Sequence, residues 1–238
     1  IGRLAAGIAH EVNNPLTAVL TFAHLLRESP KADDDQKQDL DVIVRETTRV
    51  REIVRGLLDF ARESPSRRQI LDINEILQRT LSLLKSQKDF GKIKIDLCLQ
   101  DSLPPVMGDR NQMQQVFLNL SLNACEAMPE GGVLTVTTRQ EESTVRVYFA
   151  DTGCGISQEF LTQIFDPFFT TKPVGKGTGL GLSVSYGIIQ QHGGQLLVNS
   201  TPNEGSTFTV VLQVCTDPVY LIEDEPEADR GAATPQQG

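Results

Sequence analysis

Between Ile8 and Leu26 the apolar residues Ile8, Val12, Leu16, Val19, Ala23 and Leu26 return every three or four positions, so they fall in one stripe along a helix. A second stripe, Leu40, Ile43, Val50, Val54, Leu57 and Ala61, begins after a break from Ser29 to Asp35 that holds Pro30 and three aspartates. This spacing predicts two amphipathic helices joined by a turn. A hairpin of that size cannot hide both stripes from water alone, so pairing with a second copy into a dimeric four-helix bundle is expected.

The period changes past Ser64-Pro65-Ser66 and Arg67-Arg68, which read as a linker. Strands are predicted at about 69–73, 93–99, 132–139, 144–150, 194–200 and 206–214, and helices at about 74–87, 109–127, 157–164 and 180–192. Turn signals stand at Gly131-Gly132 and Asn203 to Gly205. The resulting fold class is α+β: a helical hairpin over 1–66, then an α/β sandwich over 67–215 with helices on one face of a mixed sheet, then a tail over 216–238.

Composition narrows the chemistry. Across 238 residues, 39 % hydrophobic content suits a globular chain, and no apolar run approaches the roughly 18 residues of a membrane helix. The start lacks the basic-then-apolar pattern of a leader. A net charge of −9 argues against a nucleic-acid partner, which needs a contiguous basic surface. Cys98, Cys125, Cys154 and Cys215 stand far apart without a C-x-x-C pair, so neither a zinc site nor a disulfide framework is expected. We expect a cytoplasmic piece without membrane contact of its own; because it opens on Ile1, an upstream sensor or anchor is expected to be missing.

His10 sits in His10-Glu11-Val12-Asn13-Asn14-Pro15-Leu16, about 160° around the helix from the apolar stripe, so its ring is expected to face solvent. An isolated exposed histidine is ordinarily a plain surface residue. Here Glu11 is adjacent, where it can hold the proton of one ring nitrogen and leave the other lone pair free to attack phosphorus. Asn14, one turn later, continues the polar face with Thr17 and Thr21. Pro15 inside a helix costs about 3 kcal/mol, which argues for a functional bend.

In the second domain Asn119 and Asn123 lie four apart at the edge of a helical face formed by Met113, Val116, Phe117, Leu120 and Ala124. Such amides often just bond backbone, yet a hard cation bridging phosphates also wants neutral oxygen ligands, with Gln115 and Glu126 as possible helpers. Asp151-Thr152-Gly153-Cys154-Gly155 puts a carboxylate at a strand end with two glycines behind it, suited to accept from an exocyclic amine. Gly175, Gly177, Gly179 and Gly181 alternate into an apolar helix, whose free amides form an anion site; the spacing is neither a P-loop nor a dinucleotide fingerprint. Between these clusters, Phe165 to Lys172 offers aromatics to anchor a flap and a lysine to meet phosphate.

Taken in order, HEVNNPL, NLSLNACEA, DTGCGI, FDPFFTTK and GTGLGL resemble the H, N, G1, F and G2 boxes of histidine kinases, most closely those of the nitrogen-regulator type. The resemblance implies a phosphotransfer hairpin followed by a Bergerat-type ATP-binding domain. It makes His10 the phosphoacceptor, Glu11 its acid/base partner, Asn123 the Mg²⁺ ligand and Asp151 the adenine contact. Gly153, Gly155, Gly177, Gly179 and Gly181 become nucleotide-loop glycines, with Thr178 and Leu180 in the same loop and Asn119 and Lys172 at further matching positions. Glu11-Val12-Asn13-Asn14 resembles the E-x-x-N pattern of kinases that also dephosphorylate their regulators. ATP and Mg²⁺, a homodimer, and the receiver domain of a response regulator are thus implied. Val219 to Pro226 resembles the opening strand and acidic pocket of a receiver; the alternative is a plain acidic tail. The rival readings are an ATPase of the same nucleotide fold that drives conformational change, and a nucleotide-binding dimeric scaffold.

Overall fold

The computed structural model describes residues 2–29, 33–61, 68–85, 88–172 and 177–216. Of the predicted linker, residues 64–67 lie outside them and Arg68 within, and the receiver-like stretch at 219–226 lies outside them. Helix α1 (Gly2–Arg27) runs through Pro15 without interruption, and α2 (Asp34–Ala61) returns beside it. The start of α2 is fixed by a reciprocal cap: Asp33 Oδ1 accepts from the Gln36 amide at 2.8 Å, while the Asp33 amide donates to Gln36 Oε1 at 3.3 Å. Arg27 ties the two helices by an ion pair to Asp41 at 2.9 Å.

The predicted stripe on α1 is covered on one flank only. Leu20 and Ala23 are buried, as is Thr47 across from them, but Val19, Phe22 and Leu26 stay exposed, as do Ile43 and Val50 on α2. Leu20 was not among the predicted stripe residues, and Val19 and Leu26 were: α2 packs to one side of the stripe centre. Among the described residues no helix is long and apolar enough to cross a membrane.

The second domain is built on a five-stranded mixed sheet of order β2-β4-β5-β7-β6. Its strands are β2 (Ile93–Cys98), β4 (Gly132–Glu141), β5 (Thr144–Asp151), β6 (Gln195–Thr201) and β7 (Gly205–Gln213). β2 runs parallel to β4, and the remaining pairs are antiparallel. Helices α3 (Ile73–Lys85), α4 (Arg110–Ala127) and α5 (Gly181–Gln191) supply the other layer. Along β5, Val145, Val147 and Phe149 are buried while Arg146 and Tyr148 keep solvent contact, the period-2 pattern of a sheet covered on one face. The inner face of α4 is the predicted one, with Phe117 stacked on Phe149 at 5.7 Å between ring centres.

Two predicted elements differ, and one strand was not predicted. Residues 157–164 form successive turns rather than a helix, with bonds such as Phe160 N to Ser157 O and Gln163 N to Phe160 O that reach back three residues. The strand at 69–73 stops at Leu71 as β1 (Gln69–Leu71), because Asp72 caps α3 by accepting from the Glu75 amide at 3.1 Å. A short β3 (Val106–Gly108), too brief to show a period, pairs antiparallel with β1 in a separate two-stranded sheet.

Candidate functional site

Four segments converge on one cleft of about 520 Å³: the C-terminal half of α4, the end of β5, the run Phe169 to Lys172, and the start of α5. Each is positioned by local chemistry. α4 begins at Asp109, whose carboxylate accepts from the amides of Asn111 and Gln112 while its own amide donates to His192 Nε2 at 3.0 Å. The other ring nitrogen of His192 bonds the Ile188 carbonyl at 2.7 Å, so this neutral imidazole joins the C-terminal end of α5 to the N-terminal end of α4.

Asp151 closes β5 and is 7 % exposed. Its Oδ1 accepts from the Gly153 amide at 2.8 Å and the Ser206 amide at 3.3 Å. Burial pushes its carboxyl above the ordinary carboxylate range, and those backbone donors pull part of the way back. Beside it the lining is apolar, from Leu122, Ile156, Ile164 and Phe208. A buried carboxylate among aliphatic and aromatic side chains suits a flat heterocycle carrying a donor.

The two asparagines part company. The Asn119 amide nitrogen donates to the Gly181 carbonyl at 3.1 Å and to Ser185 Oγ at 3.2 Å, so it secures α5 to α4. Asn123 also lines the cleft, half-buried, and among the described residues its amide makes no hydrogen bond. Its oxygen is one that an octahedral cation with phosphate and water ligands can use. No group of three or more His, Cys, Asp or Glu side chains among the described residues is placed to hold a metal by itself.

Toward the anionic part of a ligand, α5 starts at Gly181 with Leu180 as its N-cap residue and no side-chain cap, and Gly181 and Leu182 line the cleft. Amides at such a start are anion donors. Lys172 is the cation of the lining, and it pairs with Glu126 of α4.

Asn119, Asn123, Asp151, Gly155, Lys172, Gly177, Thr178, Gly179 and Gly181 all line the cleft, whereas Gly153 and Leu180 do not. Leu180 is 3 % exposed, so its side chain belongs to the core. Gly155 and Gly179 have φ of 67° and 66°, and a Cβ there would sit 2.1 Å from the Thr201 carbonyl oxygen and 2.4 Å from the Phe168 carbonyl carbon. These glycines serve close packing of the protein's own backbone. A Cβ on Gly181 would meet Asn119 Cγ at 3.9 Å, an ordinary contact, so nothing steric requires glycine there.

The aromatic run is anchored, with Phe169 on Phe160 and Phe165 on Tyr186 at 5.7 and 5.1 Å, although Phe168 is exposed and left-handed at φ 69°. Residues 173–176, and with them Gly175, lie outside the described part. His10 and Glu11 lie on α1, but their side chains are likewise outside it; Asn14 is exposed on α1 and does not line the cleft. Sequence reasoning did not find the apolar lining. Alternation along β7 marks Phe208 as inward-facing and Ile156 closes the DTGCGI run, but nothing local marks Ile164.

Residues 1–66 match the family model of the His Kinase A (phospho-acceptor) domain, and residues 108–216 that of the histidine kinase-, DNA gyrase B- and HSP90-like ATPase. The chain is 35 % identical to sensor histidine kinase ZraS of Escherichia coli (strain K12), over 95 % of this chain and 47 % of ZraS. It is 40 % identical to sensor kinase CckA of Brucella abortus (strain 2308), over 100 % of this chain and 26 % of CckA. Among solved structures, histidine kinase ThkA in complex with response regulator protein TrrA superposes with a TM-score of 0.66 at 28 % identity, covering 90 % of this chain and 61 % of that one. The chain thus spans about half the length of ZraS and a quarter of that of CckA.

Proposed function

The chain belongs to the sensor histidine kinase family, and from that premise we propose that residues 67–215 bind ATP so that its γ-phosphoryl group passes to His10 on the hairpin of residues 1–66, and from there to an aspartate of a receiver domain. One observation carries this reading: a single cleft joins a buried carboxylate, an asparagine side chain without a hydrogen-bond partner among the described residues and an uncapped helix start. Asp151 accepts from the exocyclic amine of adenine against the apolar lining, and the amides leading into α5 hold phosphate oxygens.

Asn123 would hold Mg²⁺, which supplies charge neutralisation on the phosphates when bound. His10 offers an imidazole, a group with a reference pKa near 6.5. Its free nitrogen attacks the γ-phosphorus as the bond to the β-phosphate oxygen breaks, and ADP leaves with that electron pair. Glu11 takes up the proton from the opposite ring nitrogen and steadies the ring. Asn14, exposed one turn along, orients water for the reverse task of removing phosphate from the regulator.

The uncovered flank of α1, Val19, Phe22 and Leu26, supports a homodimer closed through the hairpins. The crystallised pairing of ThkA with TrrA supports a receiver as the partner. A reading that depends on ATP supports a cytoplasmic location. Receipt of phosphate on the hairpin separates this reading from an ATPase of the same nucleotide fold. Incubated with γ-labelled ATP and Mg²⁺, the chain is expected to label itself with a phosphate stable in base and lost in acid. His10→Gln is expected to lose all of it, and label persisting in that variant overturns the assignment.

A further inference from the structure

Glu126 and Lys172 join two walls of the cleft, one from α4 and the other from the segment that follows Phe169, although 46 residues separate them in sequence. Lys172 is the one cation lining the cleft among the described residues. Whatever anion enters must deal with the carboxylate that already holds that ammonium.

Three features suit the pair to exchange rather than to structural duty. Both side chains keep solvent contact, 34 % for Lys172 and 48 % for Glu126, and ion pairs this exposed contribute little to stability. The backbone of Lys172 is held independently of the ion pair: its amide donates to Thr170 Oγ1 at 3.2 Å. The ammonium can therefore change partners while the backbone stays in place. Glu126 also follows Asn123 by three residues on α4, so its charge lies one helical turn from the amide assigned to the phosphate-bound cation.

We infer that Glu126 is a positioning residue that competes with the terminal phosphates of a nucleotide for the Lys172 ammonium. The inference rests on the nucleotide reading above. The competition taxes only ligands that reach Lys172. A nucleoside without phosphates leaves the pair intact and feels no effect, whereas a triphosphate must displace Glu126 to gain Lys172. Glu126 thereby weakens triphosphate binding and keeps the site reversible.

The test is calorimetric titration of the 238-residue chain with AMPPNP and Mg²⁺, and separately with adenosine, in four proteins: parent, Glu126→Gln, Lys172→Gln and the double variant. Glu126→Gln is expected to tighten AMPPNP about two- to fivefold, the size of a part-exposed ion pair. It is expected to leave adenosine unchanged, and to have no effect on AMPPNP once Lys172 is Gln. Affinity for AMPPNP that is unchanged or weaker in Glu126→Gln overturns the competition. Equal tightening with or without Lys172, or for adenosine, does so too, because Glu126 then acts by bulk charge. A parent that binds adenosine and AMPPNP while the cycle is additive loses the competition alone, and a parent that binds neither overturns the nucleotide reading and the competition with it.

Discussion

In the second domain Leu77, Phe117, Val136 and Val147 are fully withdrawn from water, whereas on the hairpin Phe22, Leu25 and Leu26 keep 65, 60 and 57 % of their exposure. The chemistry divides along the same line. On the hairpin the proposed residues share one stretch of a single helix, His10 to Asn14, while the cleft draws on α4, β5, α5 and the loops between them. The contrast teaches that the second domain carries its own stability and assembles its site through its core. The hairpin carries its proposed reactive group on a rod whose exposed apolar flank calls for another surface.

The strongest way to break this comparison is to attack the core. Phe117→Ala, which removes a fully buried ring stacked on Phe149, is expected to cost about 3–5 kcal/mol and to abolish AMPPNP binding. Differential scanning calorimetry should show the loss in the transition of the second domain. If a comparable loss follows from truncating exposed Phe22 alone, the two regions are not independent.

Val19→Glu with Phe22→Glu probes the other side. Placing two charges on the uncovered flank is expected to convert dimer to monomer at micromolar concentration in sedimentation velocity, with nucleotide affinity unchanged. A double variant that sediments like the parent removes that flank from the dimer interface.

Within the hairpin, Asn14→Ala is expected to retain most self-phosphorylation while slowing removal of phosphate from the purified phosphorylated regulator in the presence of ADP. Glu11→Ala is expected to damage chiefly self-phosphorylation. Regulator decay as fast with Asn14→Ala as with the parent dismisses the water-positioning role.

The smallest effect sharpens the picture of the cleft. Because burial holds the Asp151 carboxyl above its ordinary range, the folded state keeps that proton more readily than the unfolded chain. Stability from this group is then complete in acid and declines as pH rises through the folded-state pKa. At pH 7 the ionised carboxylate is a cost. Asp151→Asn retains an acceptor for the Gly153 and Ser206 amides, so it is expected to raise the melting temperature at pH 7 by up to about 3 °C. The gain should shrink toward pH 4, while nucleotide affinity falls. A variant less stable than the parent at pH 7 reverses this account.

What was legible in the sequence was whatever repeats locally. The α4 face and the strands at 132–139 and 144–150 follow from periodicity, and the hairpin from its two stripes. Residues 157–164 misled because Phe160, Leu161 and Ile164 mimic a helical spacing, although the backbone bonds there close as turns. The cleft was legible as motifs but not as a surface. Gly153 and Leu180 belong to those motifs yet serve packing, while Ile164 and Phe208 line the cleft without any motif. Asn119 was foreseen with two readings, and its bonds to Gly181 and Ser185 favour the structural one. The pair of Glu126 and Lys172 was out of reach, because only the tertiary fold brings residues so distant in sequence together.

Helix α5 has a mechanical consequence that follows from its two ends. At one end Gly181 and Leu182 face the cleft; at the other, the Gln191 carbonyl accepts from Arg68, which leads out of the linker, at 2.6 Å. Its eleven residues make a strut about 16 Å long. The strut therefore sets a fixed spacing between the residue that follows the linker and the amides at the start of α5 that would hold the nucleotide.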